Sequence, residues 1–449
     1  MRRIVLLSVL ALAVACTQAP VPQGAQDSSQ DYEARARALI AADHGRVSCQ
    51  LHHYETPVIR DTRPPRGYKP VYVSHFSRHG SRYMTSKGTF SGYAKPLRRA
   101  DSLGLLTDTG RALLADIEHL RAEHSGMSGY LTQRGGLEHQ GVAERLYARY
   151  PGLFRQRGRR EVLAVASTVV RCNQSMMNFG TALKGKAPQL DIVYVTNDRT
   201  DESLTRVWRG TRSPEFPGPD DSREKVDSVM HSRIHPERFI SSLFTDTTAA
   251  RACFTGRDFQ RYMYELCITG GISQCLDGEQ PDIYRYYTED ELFACWVAKN
   301  CSALNQHGYT AENGEVLRRV GQYIVRDILA KADEALSEGS GKVADLRFSH
   351  DGGVLPLKFF LGVEGCDSTW RIGSEWEQGW YAWQQVCMCT NVQMIFARNR
   401  HGDVVVKFLD NERETTIKGL SPWKGPWYRW SELRPWLYAL VDFDCEVRE

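Results

Sequence analysis

The chain reads as an α/β protein, and three observations carry that reading. Short apolar runs rich in β-branched residues recur along its 449 residues. Amphipathic stretches of helical length separate many of them, and the first run ends in polar residues followed by a glycine. A chain of this length can bury a large core and still carry one inserted lobe.

Residues 71–77 open the series, where Val71, Val73 and Phe76 give a strand pattern and Gly80 just beyond permits a tight turn. Residues 111–124 and 137–149 show the spacing of helices, with Leu113, Ile117 and Leu120 marking the first and Val142 and Leu146 the second. A strand is expected at 161–167, a helix at 172–183 and a strand at 191–196, where Ile192 and Tyr194 alternate with other residues. Residues 197–306 then turn polar, helical in places and rich in loops, with a Pro/Gly stretch at 213–221. The pattern returns as a long helix at 314–336, a strand at 342–350 and two more at 391–397 and 404–409. No internal repeat stands out.

The end of the first run carries the densest chemistry. Arg78, His79, Gly80, Ser81 and Arg82 are consecutive, and ligands in open α/β sheets sit at the carboxyl ends of strands. A neutral imidazole is a competent nucleophile, and guanidinium groups fork onto phosphate oxygens. The segment therefore points to phosphoryl transfer through a phosphohistidine. An isolated tripeptide of this kind is more often a turn histidine between surface arginines, so the assignment depends on what recurs downstream. Other phosphoryl chemistries leave no trace: no cysteine has the Cys-x5-Arg spacing, no nucleophile-elbow or P-loop string occurs, and no dense Asp/His cluster marks a two-metal site. His75 and His79 stand four apart on a strand, and no metal site is expected from them. His139, on an amphipathic stretch, reads as structural.

Bulk charge implies no nucleic-acid partner, since the formal net charge is only +3 and Arg2 and Arg3 belong to the amino-terminal leader. Residues 1–16 read as an export signal: Met1, Arg2 and Arg3 precede an apolar run at 4–15 that is too short to span a bilayer. Ala13, Val14, Ala15 and Cys16 resemble a bacterial lipobox, although leucine is more usual at the position of Ala13. Cys16 is thus the expected lipidation site and the only expected membrane contact, with plain signal cleavage as the alternative. Residues 17–30, rich in Pro, Gln, Ser and Gly, are expected to be a flexible tether. The protein is accordingly expected to be exported: periplasmic, held as an outer-membrane or cell-surface lipoprotein, or secreted. Eleven of the 12 cysteines lie beyond Cys16, which suits an oxidising exterior. Cys267 with Cys275, or Cys295 with Cys301, are candidate disulfides, and the odd number leaves at least one thiol unpaired. Cys387 and Cys389 are too close to bridge one another.

Four segments in order resemble the histidine phosphatase superfamily, in its branch of histidine acid phosphatases, phytases and multiple inositol polyphosphate phosphatases. They are Arg78-His79-Gly80 with Arg82; Leu131-Thr132 with Gly135, His139 and Arg149; Ala166-Ser167-Thr168 with Arg171, Ser175 and Phe179; and Arg347-Phe348-Ser349-His350-Asp351. Leu409, Asn411 and Glu412 are similar to a late segment of the inositol polyphosphate branch. Two departures stand out. Asp351 directly follows His350, where that branch has His-Ala-Glu, and Met84 replaces the proline that usually closes the first motif.

The resemblance implies a phosphoglycerate-mutase-like three-layer α/β core with an inserted, mainly α-helical cap. The core would comprise residues 31–196 and 307–449, and the cap residues 197–306. It implies His79 as nucleophile, Asp351 as general acid, and Arg78, Arg82, Arg171 and His350 as binders of the substrate phosphate, with no metal and no cofactor. Arg171 as a structural ion-pair partner, or His350 and Asp351 as the cap of a helix near Val354, are the ordinary alternatives. The expected partners are small phosphate esters, with inositol polyphosphates such as phytate favoured. A broad-specificity acid phosphatase is the first rival and a non-catalytic surface protein binding phosphate ligands the second; the export leader argues against a phosphoglycerate mutase. A mildly acidic optimum follows, because Asp351 must be protonated to act as an acid. Arg206, Arg209, Arg212, Arg223 and Lys225 are candidates for contacts to outlying phosphates, with solvated charge the usual fate of each.

Overall fold

The computed structural model describes residues 29–155, 160–204, 220–311, 314–373 and 379–442. Cys16, the export leader and Arg206, Arg209 and Arg212 lie outside them. The expected tether overlaps the described chain only at its end, where the helix Ser29–Ala42 begins.

One eight-stranded sheet organises the chain. Its strands are β1 (Lys69–Arg78), β2 (Glu161–Ala166), β3 (Asp191–Val195), β4 (Lys342–Ser349), β5 (Asn391–Arg398), β6 (Val404–Asp410), β7 (Arg413–Thr415) and β8 (Tyr428–Arg429). The spatial order is β3-β2-β4-β1-β5-β6-β7, with β8 beside β6. From β3 to β1 the neighbours are parallel; from β1 onward each pair is antiparallel. Every residue of β4, the parallel strand between β2 and β1, is buried, as expected of a strand covered on both faces.

Helices cover the two faces and give three layers. On one face Val142 and Leu146 of the helix Gln133–Arg149 and Phe179 and Leu183 of the helix Val170–Lys186 pack with Leu346, Phe348 and Ile395. On the other, Ile324 and Ile328 of the helix Gly314–Leu336 and Leu433 and Leu437 of the helix Trp430–Asp442 join Tyr72, Phe76 and Phe396.

Among the described residues, 197–306 contains helices and no strand of the sheet. The helical lobe draws on more of the chain than that segment, because the helices Thr89–Ser102 and Asp108–Glu123 pack into it. Thr107 Oγ1 donates to the Ser242 carbonyl at 2.6 Å, Tyr262 Oη donates to the Tyr93 carbonyl at 3.0 Å, and a Cβ on Gly110 would lie 2.3 Å from the Leu243 carbonyl oxygen. Apolar burial runs unbroken from the sheet into this lobe. The expected disulfides are absent among the described residues. Ten cysteines are buried thiols; Cys275 donates to the Leu51 carbonyl, and the neighbour of Cys267 is Cys295 on the next helix rather than Cys275.

His75 on β1 and His139 on the helix above it pack against Phe348, and both are fully buried. Neither ring nitrogen of His75 has a hydrogen-bond partner among the described residues, and the ring packs against Phe179 and Phe348 as a core side chain. Burial pushes each pKa down from 6.5 to about 3. Below 6.5 the unfolded chain binds two protons that the folded one refuses, so stability is full above that pH and lost as the pH falls toward about 3. Between pH 6.5 and about pH 5 each imidazole should cost about 2 kcal/mol. Urea unfolding of His139→Leu at pH 7 and pH 5 should show a loss smaller than wild type by about that amount.

Candidate active site

The site stands at the carboxyl ends of β1, β4 and β2. Strand register places Arg78 opposite Ser349, so the residues that follow, His79 and His350, emerge side by side with ring centroids 5.6 Å apart. The His79 amide donates to the Ser349 carbonyl at 2.9 Å and the Cys389 amide donates to the His79 carbonyl at 3.0 Å, pinning the backbone on both sides. From β2, Ser167 leads into the first turn of the helix Val170–Lys186, which carries Arg171. Asp201 fixes that loop by accepting from the Thr168 amide at 2.8 Å and the Thr168 hydroxyl at 2.6 Å.

His79 is 2 % exposed, and its tautomer follows from its partner. Nδ1 lies 2.9 Å from the Gly80 carbonyl, which can only accept, so Nδ1 carries the proton and Nε2 keeps its lone pair. Burial, then Arg171, Arg78, His350 and Arg82, hold the pKa well below the ordinary 6.5. The imidazole is therefore neutral at neutral pH, as a nucleophile must be.

The cations are fixed by different parts of the chain. Arg78, 1 % exposed, donates through NH1 to the carbonyls of Gln50 at 2.5 Å and Val386 at 2.7 Å, and through NH2 to Asp351 Oδ2 at 3.3 Å. Arg82 NH1 donates to the Tyr83 carbonyl at 2.9 Å, and its Nε is buried without a partner among the described residues. Burial and the repulsion of Arg171 and Arg78 bring the pKa of Arg82 down to about 9, so it stays charged at neutral pH. Arg171 NH2 lies 3.3 Å from His350 Nδ1. A guanidinium only donates, so Nδ1 accepts and the proton of a neutral His350 sits on Nε2, 3.0 Å from Ser167 Oγ. The hydrogen bond expected from His350 to a phosphate oxygen thus requires protonation at Nδ1 or release of Ser167.

Asp351 is the first residue of the helix Asp351–Leu361, with His350 at its N-cap and no side-chain capping bond from that histidine. The helix begins three residues before Val354, so Asp351 is not a cap in front of it. Its Oδ1 accepts from the Gly352 amide at 3.0 Å, and His307 Nε2 stands 3.7 Å away. The structure therefore gathers Arg78, His79, Arg82, Arg171, His350 and Asp351 at one end of the sheet. A neutral imidazole among three guanidiniums, with one carboxyl group beside it, can hold a dianionic ester, attack its phosphorus and protonate the leaving oxygen.

Two further contacts shape the loop, and one of them corrects the role of Gly80. Its φ is not positive; the position is small because a Cβ would lie 2.5 Å from the Gly135 carbonyl oxygen. Beside it the Glu138 carboxylate accepts three hydrogen bonds: from the Ser81 amide at 2.7 Å, the Ser81 hydroxyl at 2.7 Å and the Tyr54 amide at 3.1 Å. Burial raises its pKa, and the hydrogen bonds oppose that rise. Glu138 and His307 have no signal in the sequence, since each meets the site through a contact distant along the chain. The small triplet Ser81, Gly135 and Gly136 hints only that a helix approaches the loop closely.

Fold and basic cluster together define an α/β protein whose parallel strand ends converge on two buried histidines. The profile of the histidine phosphatase superfamily (branch 2) matches residues 72–394, and the chain belongs to that superfamily, a family of hydrolases. Solved structures with the same fold include the Bifidobacterium longum multiple inositol polyphosphate phosphatase. In complex with phosphate it is 18 % identical, with a TM-score of 0.71 over 88 % of this chain and 98 % of that one. In complex with inositol hexasulfate it is 19 % identical, with a TM-score of 0.69 over 87 % and 97 %. The phytase of D. castellii is 14 % identical, with a TM-score of 0.62 over 88 % and 85 %. No curated protein sequence matches the chain.

Replacing Glu138 by Gln puts an amide N–H against either the Ser81 N–H or, with the amide turned over, the Tyr54 N–H, leaving a part-buried donor without an acceptor at a cost of about 1–3 kcal/mol. Turnover of an aryl phosphate should fall by about tenfold or more, mainly in kcat, with a smaller change in urea midpoint. Unchanged kcat would remove Glu138 from loop positioning.

Proposed function

We propose that the protein is an exported phosphomonoesterase that hydrolyses inositol polyphosphates such as phytate through a phosphohistidine on His79. The observation that carries this reading is the tautomer of His79, which leaves Nε2 its lone pair on an imidazole within electrostatic reach of Arg78, Arg82 and Arg171. The inositol polyphosphate class is supported by the fold relatives, which are named as a multiple inositol polyphosphate phosphatase and a phytase.

Substrate phosphate is held by the guanidiniums of Arg78, Arg82 and Arg171, and His79 Nε2 attacks phosphorus in line. The N–P bond forms as the P–O ester bond breaks, and Asp351 gives its proton to the departing alkoxide. Water then attacks the phosphoimidazole, Asp351 takes a proton back, and inorganic phosphate leaves a neutral His79. Before substrate arrives, Arg78 and the Gly352 amide favour the Asp351 carboxylate. A dianionic phosphate opposes them and favours the acid, and that balance gives activity that falls on the alkaline side.

Phosphate release from inositol hexakisphosphate and p-nitrophenyl phosphate tests the reading. Wild type should release it from both, faster from the first, and His79→Ala should lose at least a thousandfold on each. Acid-quenched wild type should carry acid-labile label on His79 after turnover of a radiolabelled ester. Equal activity of the two proteins removes the nucleophile, and preference for the aryl ester favours a general acid phosphatase. Export and a lipid at Cys16 belong to the same proposal: fatty-acid label on the wild type should be absent from Cys16→Ser, and undiminished label would exclude the anchor.

A further inference from the structure

The helix Glu289–His307 reaches the site with its last residue, His307, which lies beside Asp351. If Asp351 protonates the leaving oxygen, this helix borders the side on which the alcohol departs. Lys299 comes eight residues earlier, about 12 Å back along the axis and turned by about 80° from His307. Its neighbours Trp296, Ala298 and Asn300 are buried, and Lys299 itself is partly buried. Its ammonium lies within electrostatic reach of Asp351, Arg78 and Arg82, yet it has no hydrogen-bond or ion-pair partner among the described residues. Every other cation described at this site has a partner: Arg78 has two carbonyls and Asp351, Arg82 the Tyr83 carbonyl, and Arg171 the imidazole of His350.

A lysine drawn out of water without an anion loses solvation for no return. Burial depresses its pKa, Cys49 and Asp351 oppose the depression, and Arg78 and Arg82 add to it. An anion arriving with the substrate supplies the missing partner, and the compact ammonium at the end of a flexible stem suits a phosphate oxygen. The phosphate under attack already has Arg78, Arg82 and Arg171, so the anion left for Lys299 is one carried by the alcohol.

We propose that Lys299 is a specificity residue whose ammonium binds a second phosphate carried by the leaving alcohol, so that the site prefers esters bearing more than one phosphate. The inference rests on the phosphatase reading of the same site and goes further by naming a residue that would create the preference. It separates two kinds of substrate: a monophosphate ester leaves Lys299 unpaired, and a polyphosphate pairs it.

The test is the ratio of kcat/KM for inositol hexakisphosphate to that for p-nitrophenyl phosphate, measured within each protein so that the folded fraction cancels. Lys299→Met should lower the ratio about ten- to hundredfold through the hexakisphosphate alone. Lys299→Arg, which keeps the charge, should keep most of it. An unchanged ratio in Lys299→Met overturns the proposal, as does an equal fall for both esters or a loss in Lys299→Arg as deep as in Lys299→Met. A wild type that cleaves the aryl ester without preferring the hexakisphosphate overturns the role of Lys299 and leaves the phosphatase standing. A wild type that cleaves neither overturns both.

Discussion

Repulsion among three buried or part-buried guanidiniums is the constraint around which the rest of the structure is arranged. Arg78, Arg82 and Arg171 crowd one end of the sheet, and each depresses the pKa of His79. Nothing in a hydrophobic core offsets such a cluster, so the chain supplies carbonyl dipoles and one carboxylate: Gln50, Val386 and Asp351 for Arg78, and Tyr83 for Arg82. The same cluster keeps His79 neutral. Structural electrostatics and chemical readiness are thus one arrangement, with a phosphate dianion as its natural counter-charge.

The parallel half of the sheet makes that crowding possible. Parallel strands align their carboxyl ends, and the pairing of Arg78 with Ser349 delivers two histidines to adjacent positions without any help from loops. The antiparallel half contributes differently. It brings Thr390 and Cys389, at the entry to β5, against the end of β1, where the Thr390 carbonyl accepts from the Arg78 amide at 2.8 Å. The backbone beneath the nucleophile is therefore bonded on both sides.

The strands were legible because each is built on a short run of apolar residues, in the buried β4 as in the largely exposed β3, and the expected positions for β1 to β6 differ from the observed ones by no more than a few residues. The helix Gly314–Leu336 was legible because its apolar spacing persists through six turns. Strand direction was not, since parallel and antiparallel neighbours differ through partners far away in sequence. The helix Thr89–Ser102 gave a poor signal with Pro96 inside it, and β7 and β8 are too short to leave a pattern. At the site, Arg78, His79 and Arg82 stand out as polar groups closing an apolar run, whereas Arg171, His350 and Asp351 are legible only through the segments that resemble the family. Glu138, His307 and Lys299 sit on ordinary amphipathic helices, and only the packing of those helices gives them a role. The cysteine count misled in a different way: burial among aromatic and aliphatic side chains accounts for these thiols as core residues.

Arg78 is held by carbonyls that are 336 positions apart in the sequence, at Gln50 and Val386. Both must be in place before the guanidinium beneath the nucleophile is satisfied. A ribosome-bound chain that ends short of Val386 has the histidine motif already made but lacks one of its two carbonyl braces. Assembly of the pocket is consequently a late event in the life of the polypeptide, set by the arrival of its distal third and not by the early synthesis of the motif itself.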